Sequence, residues 1–187
     1  MRQMGVLGMM CMRRGSKRLK DKNILPYLNI PMFRWGLKAL VFSEDITAVA
    51  LVTDYSKEEL EWGSYEYDEG LYFIPRPKEI SGDGVKLQTT IKWAYGMMDS
   101  TYDVICHVMA TNPLIQTYDI SAALYKIRKG NCDIVRSYGT DGLENGLIAF
   151  KTLLYPPYDA YTGSIEADGI EIHNESDYDD LNFRGIV

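Results

Sequence analysis

The sequence predicts an α/β protein, a three-layer α/β/α, Rossmann-like domain on a mostly parallel mixed sheet. Three observations predict it. Short apolar runs alternate with helix-period segments along most of the 187 residues, and parallel strands joined through helices give a layered α/β architecture. The first apolar run, Met4–Met12, has no polar interruption, which suits a strand buried on both faces. A Gly/Lys/Arg loop follows it directly, up to Asn23, and ligands of open α/β sheets gather beyond the carboxyl ends of the strands.

The elements follow in order. After the loop, Pro31–Ser43 carries Met32, Trp35, Leu37, Leu40 and Val41 at helical spacing, and Pro31 suits a first helical turn. Ile46–Thr53 is a second strand. Ser56–Trp62 is expected as a short helix, with Ser56 as N-cap and Glu59 as its capping-box partner. Leu71–Ile74 is a third strand, stopped by Pro75 and Pro77. Val85–Met98 is helical, with Leu87, Ile91, Ala94, Tyr95 and Met98 on one face. Val104–Met109 is a fourth strand, and Thr117–Arg128 a helix with Ile120, Ala123, Leu124 and Ile127 inward. Cys132–Val135 and Leu147–Phe150 are further strands. Ile170–His173 is expected as a final edge strand and Ser176–Asn182 as a terminal helical turn. Tyr155–Ala167, rich in Tyr, Pro and Gly, carries the weakest signal for regular structure.

The length suits one domain over residues 1–187 and can bury a sizeable core. The net charge of −6 argues against a broad nucleic-acid surface, which needs excess positive charge. Six basic residues nevertheless fall between Arg13 and Lys22, against Asp21 alone. A local cation cluster on an acidic chain points to a small anionic ligand. Cys11, Cys106 and Cys132 show no CxxC or Cys/His spacing and are expected as buried free thiols of a reducing compartment. Cys11, beside the basic loop, lacks a histidine near it in sequence to activate it as a nucleophile. The N-terminal apolar run is broken by glycines and ends in arginines, unlike a secretory signal. No run of about 18 apolar residues is present to span a membrane. A cytoplasmic location is expected.

The loop Met12–Asn23 has the chemistry of a phosphate cradle. Gly15 lets the backbone approach a phosphate. Neighbouring N–H groups and the Ser16 hydroxyl can donate to its oxygens. Arg13 offers a planar fork, and Lys17 and Lys22 offer point charges. The pattern is neither GxxxxGK[ST] nor GxGxxG. A solvated basic loop is the alternative from charge alone; its place after the first buried strand argues for a ligand.

Arg13-x-Gly15-Ser16-Lys17-Arg18-x-x-x-Lys22-Asn23 resembles the signature of the acylneuraminate cytidylyltransferase family, the CMP-sialic acid synthetase-like enzymes. Further matches follow in order: Asn23-Ile24 with Pro31-Met32, Val52-Thr53-Asp54, Arg76-Pro77-Lys78-Glu79-Ile80-Ser81-Gly82-Asp83, Ala110-Thr111-Asn112-Pro113-Leu114, Asn145-Gly146 with Phe150-Lys151, and Ile170-Glu171-Ile172-His173 with Asp177. The resemblance implies a nucleotide-diphospho-sugar transferase-like fold and transfer of CMP from CTP to a sialic-acid-like sugar acid. It implies catalytic roles for Arg13 and Lys22. Nucleotide contacts are implied for Arg13, Gly15, Ser16, Lys17, Asn23, Arg76 and Thr111, and substrate contacts for Asn112 and Asn145. A divalent cation, Mg²⁺ with Mn²⁺ as the alternative, is implied at Glu171 and His173. The implied partners are CTP and the sugar acid, with a homodimer possible.

This chain departs from the family pattern at several places. Cys11-Met12 replaces Pro-Ala, Met109 replaces a nucleotide-contacting glutamine, and Ile115 replaces an arginine. Gly84-Val85-Lys86-Leu87 stands where the family has hydroxyl-bearing residues, so those contacts are expected to be absent. Glu171 and His173 replace two metal-binding aspartates, and imidazole suits softer metals than Mg²⁺. Asp83 fits either the family's acidic position or an N-cap of the following helix. The insert around residues 136–144, which in the family helps to bind the sugar and to form the dimer, is short. A nucleotide-binding relic or interaction module, and a sugar-1-phosphate nucleotidyltransferase, remain as alternative functions.

Overall fold

A computed structural model describes residues 4–152, 161–167 and 171–184. Its centre is a seven-stranded sheet in the order β5-β4-β1-β6-β8-β7-β9. The strands are β1 (Val6–Met12), β4 (Ala48–Thr53), β5 (Tyr72–Pro75), β6 (Val104–Val108), β7 (Ile134–Tyr138), β8 (Glu144–Lys151) and β9 (Thr162–Glu166). A small hairpin of β2 (Pro26–Tyr27) and β3 (Ile30–Pro31) stands apart. β1 pairs in parallel with both β4 and β6, β4 with β5, and β7 with β9, while β8 runs antiparallel to β6 and β7. The mostly parallel mixed sheet expected from sequence is present.

All seven residues of β1 are buried, because helices cover both faces of the sheet beside it. On one face α1 (Met32–Val41) and α3 (Thr117–Arg128) pack Phe33, Leu37, Leu40, Ile120 and Leu124 against Met10, Leu51 and Val108. On the other, α2 (Leu87–Tyr95) sets Ile91 and Ala94 on Leu7, Met9 and Ile105. α3 opens on a Gln116/Asp119 capping box, and Asp119 accepts the Gln116 N–H at 2.8 Å. α4 (Glu175–Arg184) seats Leu181 with Ile172, Tyr27 and Met32 in a third apolar cluster.

Four expectations are corrected. The Ser56–Glu59 capping box forms, with Ser56 N–H to Glu59 Oε2 at 2.9 Å and Glu59 N–H to Ser56 Oγ at 3.2 Å. It closes turns rather than a helix, and Glu61 at φ 48° breaks the right-handed repeat. Glu171–His173 forms no strand, and Ile170 lies outside the described residues. The edge strand is β9 instead, inside the segment with the weakest signal. It pairs parallel to β7 with Ile165 inward and Thr162, Ser164 and Glu166 exposed, so a single large apolar residue carries its alternation. The N-cap of α2 is Lys86, not Asp83. Among the described residues no helix is long and apolar enough to cross a membrane.

Candidate functional site

Chain segments far apart in sequence meet at the carboxyl ends of β1, β4 and β6. β1 delivers the basic loop, which bends at Gly15 with φ +70° and open space around the missing Cβ. Arg14 anchors this loop instead of facing a ligand. Its N–H donates to Asp54 Oδ1 at 2.8 Å and its Nε to Asp54 O at 3.0 Å, and its guanidinium pairs with Glu59. The Val52-Thr53-Asp54 motif therefore holds the loop from β4. Asn23 is buried, with Nδ2 donating to Arg13 O at 2.9 Å.

With the loop pinned, Arg13, Ser16, Lys17, Lys22 and Asn23 line one open cleft of about 360 Å³, together with Asp83 and His173. Asp83 pairs with Arg13 at 2.5 Å and Lys17 at 2.6 Å. Its hydrogen bonds to Lys17 and Arg13 hold its carboxyl below the usual range. This resolves the two alternatives for Asp83: it neutralises the loop cations and does not cap the helix. Lys22 is partly buried and donates from Nζ to Ile172 O at 3.0 Å. Burial pulls its pKa down, Glu171 partly opposes this, and Arg18 and Arg13 add to the lowering.

A second cleft of about 210 Å³ shares Arg13, Lys22 and Asn23 and continues over Arg76, Val85, Leu87, Thr90, Met109 and Thr111. Arg76 is buried and committed to Ile80 O, with Nε at 2.8 Å. Two hydroxyls here, Thr90 Oγ1 and Thr111 Oγ1, are buried with no hydrogen-bond partner among the described residues. Such groups are rare, because an unpartnered buried polar atom carries its full desolvation cost. A ligand offering donors and acceptors would satisfy both. Thr90 was not singled out from sequence, where hydroxyls were sought in Gly84–Leu87. The α2 geometry supplies one a turn later, and its signal was a polar residue on an otherwise apolar helix face.

The C-terminal segment reaches the site through Ile172. Its N–H donates to Thr111 O at 3.0 Å while its carbonyl receives Lys22. That backbone clamp brings in the two residues on either side. Glu171 is half-buried and His173 exposed, with Oε2 and Nε2 3.8 Å apart. The His173 and Asn174 N–H groups donate to Asp177 Oδ2 at 2.7 and 3.1 Å, so Asp177 fixes the turn into α4.

The two residues expected to contact substrate, Asn112 and Asn145, lie inside the protein. Asn112 is fully buried, bonding from Nδ2 to Asn145 O and accepting the Leu114 N–H at 3.1 Å. Asn145 is also buried; its Oδ1 accepts from the Ser137 hydroxyl and its Nδ2 donates to Ala167 O at 2.8 Å. With these polar atoms engaged inside the protein, the pair braces β6 against β8 beneath the site. Gly146 belongs to this brace: at φ +98° its missing Cβ would sit 2.9 Å from Met109 Cβ. The three cysteines are free and buried as expected. Burial pushes the Cys11 thiol up to about 12, which removes it as a nucleophile.

A third cavity, of about 220 Å³, lies between α2 and strands β6, β8 and β7, sharing Leu87 and Met109 with the second. Its walls are largely aliphatic, and Arg136, Glu144 and Glu171 contribute charge. The loop cleft, the hydroxyl-bearing cleft and this cavity thus adjoin one another in that order.

Comparison with known proteins bears on the family and the fold. The cytidylyltransferase profile matches residues 7–155. An N-acylneuraminate cytidylyltransferase of Oncorhynchus mykiss is 31% identical over 120 residues, which is 63% of this chain and 26% of that protein. A pseudaminic acid cytidylyltransferase and UDP-2,4-diacetamido-2,4,6-trideoxy-beta-L-altropyranose hydrolase of Helicobacter pylori is 26% identical over 162 residues, covering 79% of this chain and 30% of that one. The chain thus spans less than a third of the length of these relatives. The fold is that of CMP:2-keto-3-deoxy-manno-octonic acid synthetase, solved in complex with CTP, at TM-score 0.75 and 12% identity over 96% of this chain and 98% of that one. By the extent of the profile match, and with a basic loop cradled at the end of its first strand, the chain belongs to the cytidylyltransferase family.

Proposed function

We propose that the protein transfers CMP from CTP to a sialic-acid-like sugar acid and releases pyrophosphate. The observation that carries this is the convergence of Arg13, Ser16, Lys17, Lys22 and Asn23 on one cleft, which opens onto a second cleft holding the unpartnered Thr90 and Thr111 hydroxyls. The triphosphate takes the first cleft, and cytidine the second. The acceptor takes the third cavity.

In the transfer, an acceptor hydroxyl oxygen bonds to the α-phosphorus and releases its proton to solvent, the bond from that phosphorus to the bridging oxygen breaks, and pyrophosphate leaves with that electron pair. Arg13, Lys17 and Lys22 stabilise the charge building on the phosphates, and being held in place they need no reorganisation during reaction. Asp83 keeps Arg13 and Lys17 aimed across the cleft before nucleotide arrives.

A divalent cation fits the residues present. A nucleotide-bound cation needs only one or two protein ligands beside phosphate oxygens and water, and Glu171 and His173 supply one oxygen and one nitrogen 3.8 Å apart. Mixed oxygen and imidazole donors suit Mn²⁺ better than Mg²⁺. When bound, the cation adds positive charge at the phosphates.

Pyrophosphate release from CTP in the presence of a panel of sugar acids tests the proposal. Turnover with at least one acid, and CTP bound more tightly than ATP or GTP, is the expected result. CTP binding without release from any acid would overturn the enzymatic reading. Equal affinity for ATP and CTP would overturn the assignment of the second cleft to cytidine.

A further inference from the structure

Two cations of the phosphate cleft are taken before any ligand arrives. Asp83 Oδ1 lies 2.5 Å from Arg13 Nη2, and Asp83 Oδ2 lies 2.6 Å from Lys17 Nζ. Each carboxylate oxygen thus holds one cation, as two oxygens of a phosphate would. The bonds to Lys17 and Arg13 keep the Asp83 carboxyl below the usual range, so its negative charge is in place at neutral pH.

The residue stands at the tip of an exposed flap between two fixed ends. Before the flap, Arg76 donates from Nε to Ile80 O at 2.8 Å, and Ser81 donates from Oγ to Pro77 O at 2.8 Å. After it, α2 begins at Leu87, which packs with Ile91 and Ala94. In between, Gly82, Asp83, Gly84 and Lys86 are exposed and Val85 is half-buried. A Cβ added at Gly82 or Gly84 would meet no atom within 4 Å. The backbone on either side of Asp83 therefore has both room and freedom to turn. Asp83 ties this tip to the basic loop through ion pairs whose side chains are 39% exposed at Asp83 and 81% at Lys17, and exposed ion pairs are weak fastenings.

A triphosphate in the cleft would set several negative charges beside that carboxylate, and like charges at contact range repel. Arg13 and Lys17 would gain more from the multiply charged phosphates than from one carboxylate. We propose that Asp83 is an autoinhibitory latch: it competes with phosphate for Arg13 and Lys17, swings out on Gly82 and Gly84 when CTP binds, and closes on the same cations as pyrophosphate leaves. The latch screens the loop cations in the empty protein and keeps the cleft from holding pyrophosphate tightly. The proposal rests on the triphosphate reading of this cleft and adds the group that opposes it.

Calorimetric titration of inorganic pyrophosphate and of CTP into wild type, Asp83→Asn and Asp83→Glu tests the latch. Asparagine keeps the shape of the side chain and removes its charge. Asp83→Asn should bind both ligands about threefold to tenfold more tightly, the scale of two exposed ion pairs that no longer have to be displaced. Asp83→Glu keeps the charge and should stay close to wild type. Cytidine, which carries no phosphate, should bind all three proteins alike. Amide hydrogen exchange of the wild type gives a readout that needs no variant: pyrophosphate should slow exchange in residues 13–23 and speed it in residues 82–86. Unchanged or weaker pyrophosphate binding by Asp83→Asn, or slowed exchange in the flap, would overturn the latch and leave Asp83 as a group that only positions the cations. Failure of wild type and Asp83→Asn alike to bind pyrophosphate or CTP would remove the triphosphate reading of the cleft and this proposal with it.

Discussion

Lys22 links stability to the phosphate binding proposed for it. Burial lowers its pKa from 10.5, so the folded protein gives up this proton at a lower pH than the unfolded chain does. Below its folded pKa the buried charge therefore costs stability, and the cost lifts as pH rises from the lowered value toward 10.5. Triphosphate has the opposite preference, because it favours the charged form. CTP affinity should consequently fall on the alkaline side before an ordinary lysine would titrate. Lys22→Arg, charged throughout that range, should shift the alkaline limb upward, as titration calorimetry across pH would record. An unchanged limb would separate Lys22 from the phosphates. Arg13→Ala should weaken CTP binding by about 1.5–3 kcal/mol, the worth of a charged hydrogen bond, and leave the unfolding midpoint almost unmoved, since the Arg13 pair with Asp83 is solvent-exposed. Arg13, Ser16, Lys17, Lys22 and Asn23 were legible in the sequence because they form one contiguous run. The unpartnered hydroxyl of Thr90 and the internally engaged amides of Asn112 and Asn145 were not, because whether a polar atom is already partnered depends on neighbours tens of residues away.

At the scale of elements, α1 is held by an ion pair as well as by its apolar face. Arg34 is 0% exposed in its side chain and pairs with Asp68 at 1%. It also donates to Leu60 O at 2.9 Å and lies 4.2 Å from the Tyr65 ring centroid. Asp68 accepts the Gly63 N–H at 2.8 Å. The long excursion between β4 and β5 is thereby fastened to α1 behind the nucleotide loop. Removing one partner of a buried pair strands the other charge, which costs about 3–5 kcal/mol. Arg34→Met should lower stability by that order in urea unfolding, and adding Asp68→Asn should recover part of the loss. A cost within about 0.5 kcal/mol would show the pair to be dispensable. Strands and helices with several large apolar residues at one period were legible: β1, β4, β6, α1 and α3 all lie where the sequence puts them. β9 was not, because its single inward Ile165 cannot establish an alternation. Glu171–His173 resembled a strand in composition but makes its backbone bonds to Thr111, Lys22 and Asp177 instead of to a sheet edge.

Over the whole molecule, the three adjoining cavities draw on residues 11–23, 76–91, 107–111, 134–150 and 171–173, so ligands placed in them bind only where β1, α2, β6, β7, β8 and the segment before α4 are assembled. Binding and folding are therefore linked, and a ligand at 100 times its Kd adds about 2.7 kcal/mol to stability. For a chain of this length, with roughly 2–4 °C per kcal/mol, CTP should raise Tm by about 5–11 °C. The rise should be larger with Mn²⁺ than with CTP alone if, as proposed, a cation held by Glu171 and His173 joins the C-terminal segment to phosphates on the N-terminal loop. Glu171→Gln keeps the shape of the side chain and removes its charge. It should retain the increment from CTP alone and lose most of the further increment from Mn²⁺. His173→Asn should lose less of it, and the loss should be greater with Mn²⁺ than with Mg²⁺, as expected for an imidazole ligand. Thermal unfolding of the three proteins with CTP, with and without each metal, makes the comparison without needing an acceptor. A full metal increment in Glu171→Gln would place the cation on the phosphates alone and remove the C-terminal segment from its coordination.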